Sequence, residues 1–322
     1  MDCGPIFIAG LERSGTTLLY ALLASHPNIA MTRRMNFWKY FFNRFGPLNR
    51  PENLDRCLGA MMSYERIWRL GTDWQCLRAE LSKGDPTYAR LFAVLEEQHA
   101  RRLGRSRWGD KSLDAERYAG VIFDSYPNAK MIHMIRDPRD RYASAFKSNR
   151  IGRGRAAAGI AAWLLSVTLA KQNATRHPQA YMVVRFESLV SNPEDTLKKT
   201  CQFIGEEYTP AMLVMQGASS FRDKGGNSSF EQHDPRSIST APVGRFRRVL
   251  TPREVAFIQA FAGREMTRFS YTPEPVRLSL ADRVVHCLFD WPLNLARVAG
   301  WHAVVAYKDR IGRMPSARRL VQ

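Results

Sequence analysis

The stretch Ile6-Phe-Ile-Ala-Gly10-Leu-Glu-Arg-Ser-Gly15-Thr-Thr-Leu-Leu-Tyr-Ala-Leu-Leu23 decides the fold. Ile6 to Ala9 is an unbroken apolar run, as in a strand buried on both faces of a parallel sheet. Gly10 and Gly15 bracket a polar turn, and Leu18, Leu19, Leu22 and Leu23 then recur at helical spacing. A strand turning through glycines into a helix aims backbone N–H groups and the positive end of the helix dipole at one point. An anion belongs there. The spacing Gly10-x-x-x-x-Gly15-Thr16-Thr17 is that of a nucleotide phosphate loop with Thr16 where the lysine should stand. Without that lysine the loop is poorly equipped for a triphosphate. Arg13 is the cation it has, and with Ser14, Gly15, Thr16 and Thr17 it can surround a single 5′-phosphate.

Working outward, strands and helices alternate, which predicts a three-layer α/β/α sandwich around a central parallel sheet. Asn28 to Met31 reads as a second strand. Residues 32–104, crowded with aromatics and arginines, read as a helical insertion walling an acceptor pocket at the sheet's carboxyl edge. Arg107-Trp-Gly-Asp-Lys-Ser112 reads as a polar turn leading into a helix from Leu113 to Tyr126. Lys130 to Ile135 reads as a strand ending in Arg136-Asp-Pro-Arg-Asp140. There Asp137 caps the next helix, with Pro138 at its first position. Ser144 lies two turns beyond Arg136, so the two can reach one anion together at a sheet edge. A helix from Ala156 to His177, a strand from Tyr181 to Arg185 and a helix capped by Asn192 and ending near Ile204 follow. Residues 217–244 form a long polar loop, either lid or disordered. Thr251-Pro-Arg-Glu254 is a capping box for a helix to Met266. This gives an α/β domain over residues 1–276 and a separate tail, 277–322. The tail's eight Lys and Arg residues outnumber its three Asp, for a net +5, and they stand among leucines and tryptophans. It reads as a membrane-surface segment or as helices packed back on the domain.

The chain's 322 residues carry a net charge of +18, so its partners are anionic: nucleic acid, membrane or small acidic ligands. Five scattered cysteines with no C-x-x-C pair fit reduced thiols and a cytoplasmic protein, with no disulfide framework and no zinc site. The first strand's start at Ile6 leaves no room for a signal peptide. The longest uncharged run, Ala156 to Ala170, is too short to span a bilayer.

Several segments, taken in order, resemble the sulfotransferases that use 3′-phosphoadenosine 5′-phosphosulfate (PAPS). Gly10-Leu-Glu-Arg-Ser-Gly-Thr-Thr-Leu18 resembles the family's 5′-phosphosulfate loop, and Arg136-Asp-Pro-Arg-Asp-x-x-x-Ser144 its 3′-phosphate motif. Trp108-Gly-Asp-Lys-Ser112 resembles the turn carrying a catalytic lysine, Val184 to Pro193 the segment near the adenine, and Ile238 to Arg247 a late cofactor loop. The resemblance implies PAPS as sulfuryl donor, without a metal. It implies Arg13, Ser14, Gly15, Thr16, Thr17, Arg136, Ser144, Phe186 and Arg245 as cofactor contacts, with Lys111 as the group that neutralises developing charge. Aromatic-lined pockets suit sugars and apolar rings and the basic tail suits a membrane surface, so the expected acceptor is a hydroxyl of a small hydrophobic, glycosylated or lipid molecule. Two departures stand out. Arg34 occupies the region where many members place a basic glutamate, which leaves Asp110 and Glu116 as the nearest acids. Phe186 stands where many members have tyrosine. A P-loop kinase with a degenerate loop and a basic membrane- or nucleic-acid-binding protein with a vestigial loop are the alternatives, nucleic acid being the less expected partner.

Overall fold

In the computed structural model, five strands form one parallel sheet in the order β2-β3-β1-β4-β5. They are β1 (Ile6–Ala9), β2 (Ile29–Arg33), β3 (Arg107–Lys111), β4 (Lys130–Ile135) and β5 (Tyr181–Arg185). The structure describes residues 4–148, 156–224, 226–228 and 238–311. β1 is the centre, with Ile6 opposite Gly109 on one side and Lys130 on the other. Its side chains alternate as a strand's must. Ile6 and Ile8 pack with Leu18, Leu19 and Leu22, whereas Phe7 and Ala9 face the opposite core. Both faces are therefore covered, which is why the run is apolar throughout.

The longer helices are α1 (Thr16–Leu23), α2 (Pro51–Met62), α3 (Trp74–Ser82), α4 (Tyr88–Arg102), α5 (Ala119–Ser125), α6 (Pro138–Lys147), α7 (Ala156–Arg176), α8 (Phe186–Ser191), α9 (Pro193–Ile204), α10 (Pro252–Arg268), α11 (Leu280–Val285) and α12 (Trp291–Ile311). α1, α8 and α9 bury their apolar faces against Ile6, Ile8 and Ile132. α4 and α5 cover Phe7 and Met131 on the other side, and α7 packs beside them against β5. The α/β/α sandwich expected from the alternation is thus formed. α10 stacks on α7 through Phe257, Ile258 and Ala262, and begins with the capping box of Thr251 and Glu254.

The segment that reads as a polar turn, 107–112, is instead β3, an interior strand. Its sequence hides this, because only Trp108 is a large apolar residue. The three charged side chains are buried by other means: Arg107 donates to the carbonyls of Gly4 and Ile204 and pairs with Glu206. Between β2 and β3 the insertion is helical as expected, but its last helix, α4, is the crossover that covers the sheet. The insertion's aromatics are largely core: Phe37 stacks on Phe92 at 4.7 Å, and Trp38 and Phe41 are buried beside them. Asn192 precedes α9 without a side-chain cap. The described part of the 217–244 segment contains short helical turns (Gln216–Ala218, Ser219–Arg222 and Gly226–Ser228), while residues 225 and 229–237 lie outside the described residues. In the tail, α11 and α12 join through a π-turn, His286–Asp290; α12 packs on α7 and meets α10 through Trp291 against Phe257. No helix among the described residues is long and apolar enough to cross a membrane.

Candidate active site

The chain leaves β1 toward β2 and leaves β4 toward β5, on opposite sides of the sheet's centre. A crevice forms outside the carboxyl ends of strands at such a reversal. Here it is a cavity of about 270 Å³ whose walls come from the loops after β1 and β4, the ends of β2 and β3, and Phe221, Gly226, Asn227, Pro242 and Arg245. Gly10 sits at φ 118°, and a Cβ there would lie 2.4 Å from the Met134 carbonyl oxygen. Gly15 sits at φ 90°, and its missing Cβ leaves room for the Phe186 ring, which would otherwise be 2.4 Å away. No side chain caps the start of α1, so its first N–H groups are left for a ligand at that end.

Arg13 adopts a left-handed φ of 72°, which costs a non-glycine residue roughly 1 kcal/mol. The strained turn brings its guanidinium over the loop, where Nε and Nη2 donate to Ser144 Oγ at 3.0 and 2.9 Å. Arg136, at the end of β4, donates to the Arg13 carbonyl at 3.2 Å and to the Pro242 carbonyl at 2.6 Å. Its guanidinium lies over the Phe186 ring, 4.3 Å from the centroid. Its Nε is buried with no hydrogen-bond partner in the structure. Asp137 caps α6 through the Arg139 amide. Asp140, in the first turn of α6, accepts from the amides of Gly244 at 2.7 Å and Phe246 at 2.8 Å. Those two bonds flank Arg245 and hold it, fully buried, at the cavity wall.

Among the described residues, the cavity walls carry Arg13, Arg33, Arg34, Lys111, Arg136 and Arg245 against a single carboxylate, Glu12. Burial brings the Lys111 ammonium down to about 8, and Arg34 pushes it the same way; Asp110 and Glu12 partly offset both. Among the residues singled out in the sequence, the structure brings Arg13, Gly15, Thr16, Thr17, Lys111, Arg136, Ser144, Phe186 and Arg245 together around this cavity. Ser14 is buried beside it with its amide bonded to the Leu11 carbonyl, and its side chain does not reach the cavity wall. Asp110 and Glu116 are not on the wall either. Asp110 leaves β3 on the opposite face and meets Thr32 Oγ1 at 3.1 Å, the same hydroxyl that lies 2.7 Å from Glu96 Oε1. Glu116 lies behind the phosphate loop, where the Gly10 amide and Ser166 Oγ donate to its two oxygens. Burial raises its carboxyl to about 6.

Motif spacing alone does not bring Arg33, Glu12 and the Arg34 side chain into the site. A signal for the arginines exists: they end the second strand, and strand ends in a parallel sheet point at the ligand edge. None of the insertion's aromatics lines this cavity. Phe42 and Tyr88 border a separate, open cavity of about 750 Å³ on the insertion.

A sequence profile described as the sulfotransferase family matches residues 5–210, well over half of the chain. Nodulation protein NoeE of Sinorhizobium fredii (strain NBRC 101917 / NGR234) is 25% identical over 294 residues, covering 81% of this chain. The chain spans 64% of that relative's length. A putative protein-tyrosine sulfotransferase of Caenorhabditis briggsae is 24% identical over 220 residues, or 65% of this chain and 68% of the relative. Among solved structures, the sulfotransferase domain of the Synechococcus PCC 7002 olefin synthase superposes with a TM-score of 0.53 at 24% identity, covering 80% of this chain and 94% of that domain. With a phosphate loop that lacks its lysine and a wall of cations facing it, this chain belongs to the sulfotransferase family.

Proposed function

We propose that the protein transfers a sulfuryl group from PAPS to a hydroxyl of a hydrophobic, glycosylated or lipid acceptor. The observation that carries this is the cation-rich cavity: among the described residues, six Arg and Lys side chains and one carboxylate around a phosphate loop without its lysine. Such a wall suits a ligand with several anionic groups, and the buried Arg136 Nε is a donor still to be satisfied. The residues fit the nucleotide. Arg13 and the amides at the start of α1 would hold its 5′-phosphate, Arg136 with Ser144 its 3′-phosphate, and Phe186 and Arg245 would border the rest. When bound, PAPS supplies the sulfuryl group and departs as the 3′,5′-bisphosphate.

The protein's share of the reaction is to position groups and neutralise charge. Protonated Lys111 offsets negative charge gathering where donor and acceptor meet. Glu12, the carboxylate on the wall, takes the proton of the acceptor hydroxyl as that oxygen attacks. Asp110 and Glu116 hold β3 and the phosphate loop from behind. The relative named as a putative protein-tyrosine sulfotransferase supports a hydroxyl acceptor.

The test is thermal shift with 3′,5′-adenosine bisphosphate set against ADP and ATP, each with and without magnesium. Stabilisation by the bisphosphate without magnesium is expected; a response confined to magnesium ATP would turn the assignment to a kinase. Sulfur-labelled PAPS with a panel of hydroxyl acceptors then identifies the substrate. With an acceptor in hand, Glu12→Gln is expected to lower turnover about a hundredfold while leaving the bisphosphate shift intact.

A further inference from the structure

The tail's packing leaves one side of it uncovered. From Trp291 to Tyr307 α12 carries one charged residue, Arg297, so the helix is apolar nearly all round. A helix of that kind is normally buried on every side. Here Trp291 sits edge-on to Phe257 at 5.3 Å, and Asn294 and Val298 face inward, but the opposite side meets solvent. Among the described residues, eight of the fourteen exposed large apolar side chains fall between residues 280 and 307. Leu280 is 81% exposed and Leu288 and Phe289 are 64% exposed, with Leu293 and Tyr307 further along. An apolar patch of this extent marks an interaction surface.

Charge identifies the partner. Asp282 and Asp290, the acids of α11 and the π-turn, both turn toward Arg253, at 3.7 and 3.5 Å. Arg277 and Arg283 remain exposed beside the apolar residues. The sequence after Tyr307 adds Lys308, Arg310, Arg313, Arg318 and Arg319 against Asp309. Apolar side chains flanked by cations, with the neighbouring carboxylates turned away, complement an anionic lipid headgroup layer. A second copy of the chain is a poor match, since each copy carries +18. The first turns of α12 also border Ala156 at the start of α7. Arg141 ties that same part of α7 to the phosphate loop, donating to the carbonyls of Gly159 and Glu12.

We propose that the outer face formed by α11, the π-turn and α12 is a docking surface for an anionic bilayer, into which Leu288, Phe289 and Leu293 insert at headgroup depth. The surface stands on its own geometry, whatever the acceptor. The experiment is flotation of the full chain with phosphatidylcholine vesicles, with and without phosphatidylglycerol. Sedimentation velocity without vesicles runs alongside. The wild-type protein is expected to float with the anionic vesicles, and Leu288→Glu with Phe289→Glu to cut that binding by about tenfold or more. Far-ultraviolet circular dichroism and the bisphosphate thermal shift should be unchanged; if the double variant misfolds, Phe289→Ser alone carries the test. Unaltered flotation of a folded variant would overturn the proposal, as would wild-type protein that ignores anionic vesicles. A vesicle-free dimer that the substitutions dissolve would reassign the face to contact between copies.

Discussion

Asp110 and Lys111 follow one another in β3, both are shut away from water, and their side chains leave the sheet on opposite faces. Asp110 meets Thr32 and, through it, Glu96. Burial raises both carboxyls, the Asp110 charge raises Glu96 further, and the Thr32 hydroxyl, with one proton to give, suits a pair that retains a proton between them. Lys111 meets the cavity, where Arg33 and Arg34 crowd it and, among the described residues, the Asp110 and Glu12 charges do not restore its ordinary affinity for the proton. The same degree of burial therefore serves two ends: one face of the strand is a closed joint in the fold, the other an open charge awaiting a partner.

The largest effect should come from the open face. Lys111→Ala is expected to lower turnover by a hundredfold to a thousandfold, about 3 to 4 kcal/mol of transition-state stabilisation, with little change in bisphosphate affinity. Unimpaired turnover would remove Lys111 from the reaction. Next is Arg136→Ala, which should weaken 3′,5′-adenosine bisphosphate more than AMP by roughly ten- to a hundredfold, since a charged hydrogen bond contributes about 1.5 to 3 kcal/mol. Equal losses in calorimetric titrations with the two ligands would move the 3′-phosphate elsewhere. The pH profile comes third. In the proposed reaction Lys111 acts in its protonated form, and its affinity for the proton is depressed to about 8, so kcat/KM should fall as pH rises through about 8. Lys111→Arg should flatten that limb.

The smallest effect belongs to the closed face. The carboxyls of Asp110 and Glu96 titrate higher in the folded protein than in the unfolded chain. Their contribution to stability is therefore full below the ordinary carboxylate range and is lost as pH rises through the raised folded values. Asp110→Asn removes that loss. It should raise the melting temperature near neutral pH, by roughly 1 kcal/mol of stability, and leave it unchanged in acid. A variant less stable than wild type near neutral pH would mean that the carboxylate itself is required at the joint.

The same contrast explains what the sequence disclosed. β1 and β4 were legible because apolar side chains cover both of their faces, and the phosphate loop because its glycines sit where only glycine fits. β3 was not legible, since an ion pair and hydrogen bonds hold Arg107 and Asp110 and Lys111 faces the cavity, in place of the apolar burial that marks an interior strand. That Arg13, Arg136, Ser144, Phe186 and Arg245 meet around one cavity was readable from motif spacing and family resemblance. The place of Asp110 and Glu116 behind it was not, because neighbours in sequence point to opposite faces of a strand. The insertion's aromatics looked like a ligand pocket because composition cannot tell a pocket lining from a core.

Arg136 reaches forward to the Pro242 carbonyl, and Asp140 clasps the amides on either side of Arg245. Both clasped segments lie beyond residue 210, where the family's recognisable stretch ends. A fragment cut at that limit would retain every strand of the sheet and yet expose the Arg136 guanidinium, leave Asp140 without its amides and forfeit Arg245. The boundary of family likeness is thus not a boundary of the cavity: its wall is closed by chain the profile does not cover, and the shortest fragment that keeps the cavity whole must run past Phe246.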